Sequence, residues 1–126
     1  MDEHEFGNGG GLTRTIKAFK CSMQGLQSAW RNESAFQQEL FLAVPFLTLS
    51  LWISESAFQF ALLLFTVALV LIVELLNSTI ESVVDHVGIE HHELSGRPKD
   101  IASAAVFLSL LMPPTCLVLI ACENSF

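Results

Sequence analysis

Charge is scarce in this chain, and its absence from long stretches narrows the possibilities first. Only 15% of the 126 residues are charged, against 52% hydrophobic, and the mean hydropathy is +0.53. That balance fits a small integral membrane protein better than a soluble domain. Lysine and arginine together number six (Arg14, Lys17, Lys20, Arg31, Arg97 and Lys99) and fall in two clusters. With so few cations and no recognisable binding motif, nucleic acid is not an expected partner. Cys21, Cys116 and Cys122 share no metal-ligand spacing and no obvious pairing, so no disulfide framework is expected. The run Gly9-Gly10-Gly11 lacks the Gly-Lys-Ser/Thr that would follow in a P-loop. Nothing resembles a signal peptide, because the first apolar run starts only near residue 35. A net charge of −7 would by itself repel anionic lipid, but the placement of the charges matters more than their sum.

What is present reads as an all-α membrane protein of one domain, residues 1–126. Residues 1–11 are acidic and then Gly-rich, and read as a mobile tail. Over 12–32, Leu12, Ile16, Phe19, Met23, Leu26 and Trp30 recur at alternating spacings of four and three, which draws one face of a helix. Arg14, Lys17, Lys20 and Arg31 lie off that face, so the segment suits a membrane surface, or packing on its own protein. Ser34-Ala-Phe-Gln37 and Ser56-Ala-Phe-Gln59 both have the form of a capping box. They predict membrane-spanning helices over 35–54 and 57–86, with Pro45 kinking the first. A polar loop is expected over 88–97. Its Glu90-His91-His92-Glu93 cluster could bind metal, although a solvated loop is the better reading. Pro98 suits the first position of a third span, 98–122, which Pro113-Pro114 should break or bend.

The second span ends in an unusual way. At about 100° per residue, Glu74, Asn77, Ser78, Glu81 and Asp85 fall within roughly a third of the helix circumference. A helix merely leaving the membrane would carry charges all round. One stripe of carboxylates at the boundary points to a site. Both basic clusters flank the same side of the spans, so the positive-inside bias puts the N-terminus in the cytoplasm and the C-terminus outside. Carboxylates at that boundary can hold Mg²⁺, and nearby cations can bind phosphate. A kinase joining a soluble phosphate donor to a lipid acceptor is one reading. A cation or proton channel or transporter subunit is the other, although the span interiors lack the charge a channel would use.

The run Glu74-Leu-Leu-Asn77-Ser-Thr-Ile-Glu81-Ser-Val-Val-Asp85, followed by His92-Glu-Leu-Ser-Gly-Arg97-Pro-Lys99-Asp100, closely resembles the bacterial integral-membrane diacylglycerol kinase family. Thr13-Arg14-Thr-Ile-Lys17-Ala, and the stretch from Gly25 through Trp30 and Glu33 to Glu39, look like its surface helix. The resemblance covers about residues 11–122. It implies a homotrimer of three-span protomers with composite sites, which phosphorylates diacylglycerol with MgATP to phosphatidic acid at the cytoplasmic face of the inner membrane, in lipid recycling. By position, Glu74 matches the family's general base, with Asn77 in the same signature, and Glu33 and Glu81 match its metal ligands. Arg14, Glu90, His92, Lys99 and Asp100 match nucleotide-contacting positions, with Glu33, Glu81 and Asp85 beside them. Arg14, Glu39, Trp52, Glu74 and Ser103 match positions near the lipid substrate. Cys21 and His91 stand where aromatic residues are common in the family, and Pro98 and Pro113-Pro114 are unusual in it. A related branch phosphorylates undecaprenol; the loop 92–97 favours the diacylglycerol branch.

Overall fold

Long apolar runs with little glycine in their interiors leave the backbone one economical way to satisfy its own donors and acceptors, the α-helix. A computed structural model describes residues 3–87 and 92–126, with side chains over 10–87 and 96–126. Every described element is helical: α1, Glu3–Asn32; α2, Ser34–Ile53; α3, Ala57–Val87; and α4, His92–Ser125. The chain divides into two units, Met1–Ser34 and Ala35–Phe126.

In the N-terminal unit, α1 starts at Glu3, ahead of the Leu12 suggested by the apolar periodicity, but it is not one regular helix. Gly10 has φ 57° and ψ −151°, a region open essentially to glycine alone. A side chain there would meet no neighbour, so the constraint is backbone geometry rather than space. Beyond Gly10 the apolar face from Leu12 to Trp30 is exposed along its length. Thr15 and Ser22 donate their hydroxyls to the carbonyls of Gly11 (2.8 Å) and Ala18 (2.9 Å), one turn back.

In the C-terminal unit, α2, α3 and α4 each contain a stretch long and apolar enough to cross a membrane: Ser34–Ile53, Ala57–Val87 and Gly96–Ser125. This is the architecture of a multi-pass membrane protein. At 1.5 Å per residue, α3 is about 46 Å long and outruns a hydrocarbon core of about 30 Å. The capping pattern before α3 is realised, with the Gln59 amide N–H donating to Ser56 Oγ (3.1 Å) and the Gln59 side-chain oxygen accepting from the Glu55 N–H (2.8 Å). Leu63, Val67, Val70, Glu74 and Asn77 are the buried residues of α3. Their spacing of four, three, four and three marks a single packing face that begins apolar and ends polar.

Two expectations for the last span are corrected. The helix begins at His92, not Pro98, so residues 92–97 are helical rather than loop. Pro98 lies in the second turn and removes only one intrahelical bond, which good helix formers on either side tolerate. Nor do Pro113 and Pro114 break α4, which runs on to Ser125. Prolines within a span leave carbonyls unbonded, but the surrounding apolar medium penalises any further opening of the helix. Among the described residues, α3 and α4 are the pair whose backbones pack closely. Ala102 and Ser109, small and buried on α4, suit such close approach.

Candidate active site

The packing face of α3 carries the site. Glu74 is only 4% exposed and Asn77 9%. An ionisable side chain so placed is expensive within a span and calls for a partner or a task. One neighbour comes from α2: Glu39, in the second turn of that helix, brings its carboxyl within hydrogen-bonding reach of Glu74. Glu39 Oε1, Asn77 Oδ1 and the Ser78 hydroxyl are buried without hydrogen-bond partners. Buried polar atoms are seldom left so. The first two are acceptors and would be satisfied by a hydroxyl or a cation.

Glu39 also stands on the rim of a cleft of about 270 Å³ between α2, α3 and α4. Its other walls are apolar, among them Leu42 and Phe46 of α2, Val70 of α3, and Leu110 and Pro113 of α4. A cavity with one carboxyl, that of Glu39, and otherwise hydrocarbon walls suits an amphiphile whose polar end carries a hydroxyl.

Further along α3 the character changes. Glu81 lies two turns, about 10 Å, beyond Glu74 and is half-buried, while Asp85 is exposed. Lys99 Nζ on α4 meets Asp85 Oδ1 at 2.6 Å, and Glu81 is near enough to act on the same ammonium. Asp100 and, one turn past Lys99, Ser103 are exposed on α4. Along one helix, then, a buried carboxyl beside an apolar cleft is followed by a cluster of mixed charge open to water.

A family model for prokaryotic diacylglycerol kinase matches residues 20–121, a range that contains both parts of this arrangement. The chain belongs to the prokaryotic diacylglycerol kinase family. It is 49% identical over 100 residues to a diacylglycerol kinase of Haemophilus influenzae, covering 79% of this chain and 85% of that one. To the Escherichia coli diacylglycerol kinase it is 48% identical over 102 residues, 81% and 84% of the two chains. The Pseudomonas aeruginosa diacylglycerol kinase is 40% identical over 100 residues, 79% and 81%.

Of the positions that resemble the diacylglycerol kinase site, the C-terminal unit brings together Glu39, Glu74 and Asn77, and separately Glu81, Asp85 and Lys99. Trp52 does not join either group. It is 82% exposed and sits in the last turn of α2, about 20 Å along that helix from Glu39. Arg14, exposed, and Glu33, half-buried, belong to the N-terminal unit. Glu90 and His91 lie outside the described residues, as does the side chain of His92. Sequence reasoning passed over Ser78 as a site residue, although its place in the polar stripe was a signal. It also missed any role for Gln59 beyond the cap.

Proposed function

We propose that this diacylglycerol kinase transfers the γ-phosphoryl group of MgATP to the free hydroxyl of diacylglycerol at the cytoplasmic membrane face, giving phosphatidic acid for lipid recycling. The observation that carries the reading is the buried carboxyl of Glu74 beside Glu39, which lines an apolar cleft, two turns from a water-facing cluster with a cation. Two immiscible substrates could meet along α3: the lipid through the cleft, the nucleotide from water.

In this mechanism the diacylglycerol hydroxyl lies against Glu74, and Glu39 and Asn77 orient the pair. The hydroxyl oxygen bonds to the γ-phosphorus as the bond from that phosphorus to its bridging oxygen breaks, releasing ADP. The hydroxyl proton passes to the Glu74 carboxylate. Lys99, with Arg14, holds phosphate oxygens as a point charge. Glu90, His92, Asp85 and Asp100 contact the nucleotide, and Trp52 and Ser103 border the lipid. No group of three His, Cys, Asp or Glu among the described residues could hold a metal by itself. Mg²⁺ needs no such group, since it takes one or two carboxylates and fills its shell with phosphate oxygens and water. Glu81 and Glu33 are hard oxygen donors of the right kind. When bound, the ion neutralises charge on the phosphates.

We assign residues 12–32 to the membrane surface, with the N-terminus cytoplasmic and the C-terminus periplasmic, and the functional unit to a homotrimer with sites shared between protomers. An exposed apolar row on α3, Leu62, Phe65, Leu69, Ile72 and Leu76, has the three-and-four spacing of a helix-packing seam and supports that assembly. The test is a labelled-ATP assay on purified protein in mixed micelles, with diacylglycerol, undecaprenol or neither. Label in phosphatidic acid supports the reading. Preferential label in undecaprenyl phosphate moves the chain to the other branch, and label in neither lipid removes the kinase mechanism.

A further inference from the structure

At the end of the spans away from Glu74, one hydrogen-bonded node ties three helices together. The side-chain amides of Gln59, at the start of α3, and Asn124, at the end of α4, pair reciprocally. Gln59 Nε2 donates to Asn124 Oδ1 (2.9 Å), and Asn124 Nδ2 donates to Gln59 Oε1 (2.9 Å). Asn124 Nδ2 also donates to the carbonyl of Ile53 (2.8 Å), the last residue of α2 and one of the carbonyls a helix end leaves without a partner. Gln59 Nε2 donates in addition to Glu123 Oε1 (2.8 Å), and Gln59 Oε1 accepts from the Glu55 N–H (2.8 Å). Gln59 therefore uses both of its donors and both acceptor positions.

We propose that Gln59 and Asn124 are positioning residues: their amide pair sets the axial register of α4 against α3, and with it the place of Lys99 beside Asp85. The consequence for catalysis rests on the phosphate-binding role proposed for Lys99. The two helices run antiparallel, and nearly the same number of residues separates Gln59 from Asp85 as separates Lys99 from Asn124. That interval is about 38 Å on either helix. Among the described residues, the hydrogen bonds and ion pairs joining α3 to α4 lie at its two ends. Between them the packing face of α3 is apolar at Leu63, Val67 and Val70 and turns polar at Glu74 and Asn77. In hydrocarbon the apolar part gains nothing from a hydrophobic effect that would select one register, and the Asn77 side-chain oxygen has no hydrogen-bond partner that would do so. The Lys99–Asp85 pair is open to solvent, and ion pairs of that kind hold weakly. The saturated amide node is the stronger fastening, and α4 is continuous through its prolines, so an axial shift at one end reaches the other.

The test uses the full chain. Asn124→Leu should raise the KM for MgATP about tenfold, the weight of one hydrogen bond to a charged group, while leaving the KM for diacylglycerol unchanged. In a Lys99→Ala background the same substitution should add nothing, because its effect passes through Lys99. The reciprocal exchange, Gln59→Asn with Asn124→Gln, conserves the combined length of the two side chains and should restore the KM to within roughly twofold of wild type. Register is read independently by spin labels at Val83 and Val118, both exposed and offset by about 25 Å along the helix axis so that a slide changes their distance almost one for one, in protein with its three cysteines replaced by serine and diluted with unlabelled protein. Their separation should change in Asn124→Leu by about 1.5 Å or more, one residue of slide, and recover in the exchange. Should Asn124→Leu fail to fold, Asn124→Ala removes the same bonds with less bulk. An unchanged label separation, or MgATP effects of Asn124 and Lys99 that simply add, overturns the proposal. If the wild-type protein phosphorylates no lipid, the functional reading fails and the label separation still decides the register.

Discussion

Glu74→Asp isolates the placement of one carboxyl from its chemistry. The substitution keeps the charge and acidity class but withdraws the carboxyl by one methylene, on the order of 1 Å, and misplacement of that size can reduce turnover about a hundredfold. That is about 2.7 kcal/mol of lost transition-state stabilisation. Glu74 is nearly fully buried, so removing a methylene also destabilises the fold, by about 0.8 kcal/mol, too little to unfold a protein of ordinary stability. The water-facing residues Glu81, Asp85 and Lys99 begin about 10 Å further along α3 and α4, so the KM for MgATP should stay near its wild-type value. The assay is initial-rate lipid phosphorylation in mixed micelles at saturating diacylglycerol, with a detergent melting curve to confirm folding. Activity within a few-fold of wild type in folded protein would remove Glu74 from the base role, and a large rise in the MgATP KM would deny the separation of the two substrates along α3.

Three further outcomes are expected. Lys99→Ala should raise the KM for MgATP about tenfold with little change in melting temperature, because its ion pair with Asp85 is solvent-exposed; an unchanged KM would leave Lys99 a purely topological cation. Glu81→Gln should weaken Mg²⁺-dependent nucleotide binding roughly tenfold, and adding Glu33→Gln should do little more, since both would serve one ion; fully additive losses in a calorimetric titration would separate them. Ala43→Phe places a ring in the cleft that Ala43 lines, so the KM for diacylglycerol should rise several-fold with that for MgATP unaltered; the reverse pattern would detach the cleft from the lipid.

The helical architecture and the three spans were legible because apolar run length and period are local properties of the chain. Where local rules compete, the surrounding structure decides the outcome. Pro98 is well suited to a helix's first position, yet α4 begins a turn and a half earlier, because one missing N–H near a helix start perturbs little. Pro113-Pro114 looked like a break, but a span in hydrocarbon has nothing else to bond with. The polar stripe on α3 was visible from spacing alone. That it is also the buried face, continuous with Leu63, Val67 and Val70, was not, because periodicity shows which residues share a side and not what covers it. The approach of Glu39 to Glu74 joins two different helices, and the Gln59–Asn124 pair spans 65 positions of sequence. Neither leaves a local signal, apart from a glutamine already accounted for as a cap.

The central claim is that the lipid hydroxyl reaches Glu74 through the cleft between α2, α3 and α4. It is tested most directly by photolabelling with a diacylglycerol that carries a diazirine a few carbons below the glycerol, followed by mapping of the adducts. The account predicts adducts at Leu42, Phe46, Val70 and Leu110, lost when unlabelled diacylglycerol is in excess. Adducts spread over the outward residues Leu64 and Leu119, indifferent to that competitor, would contradict it.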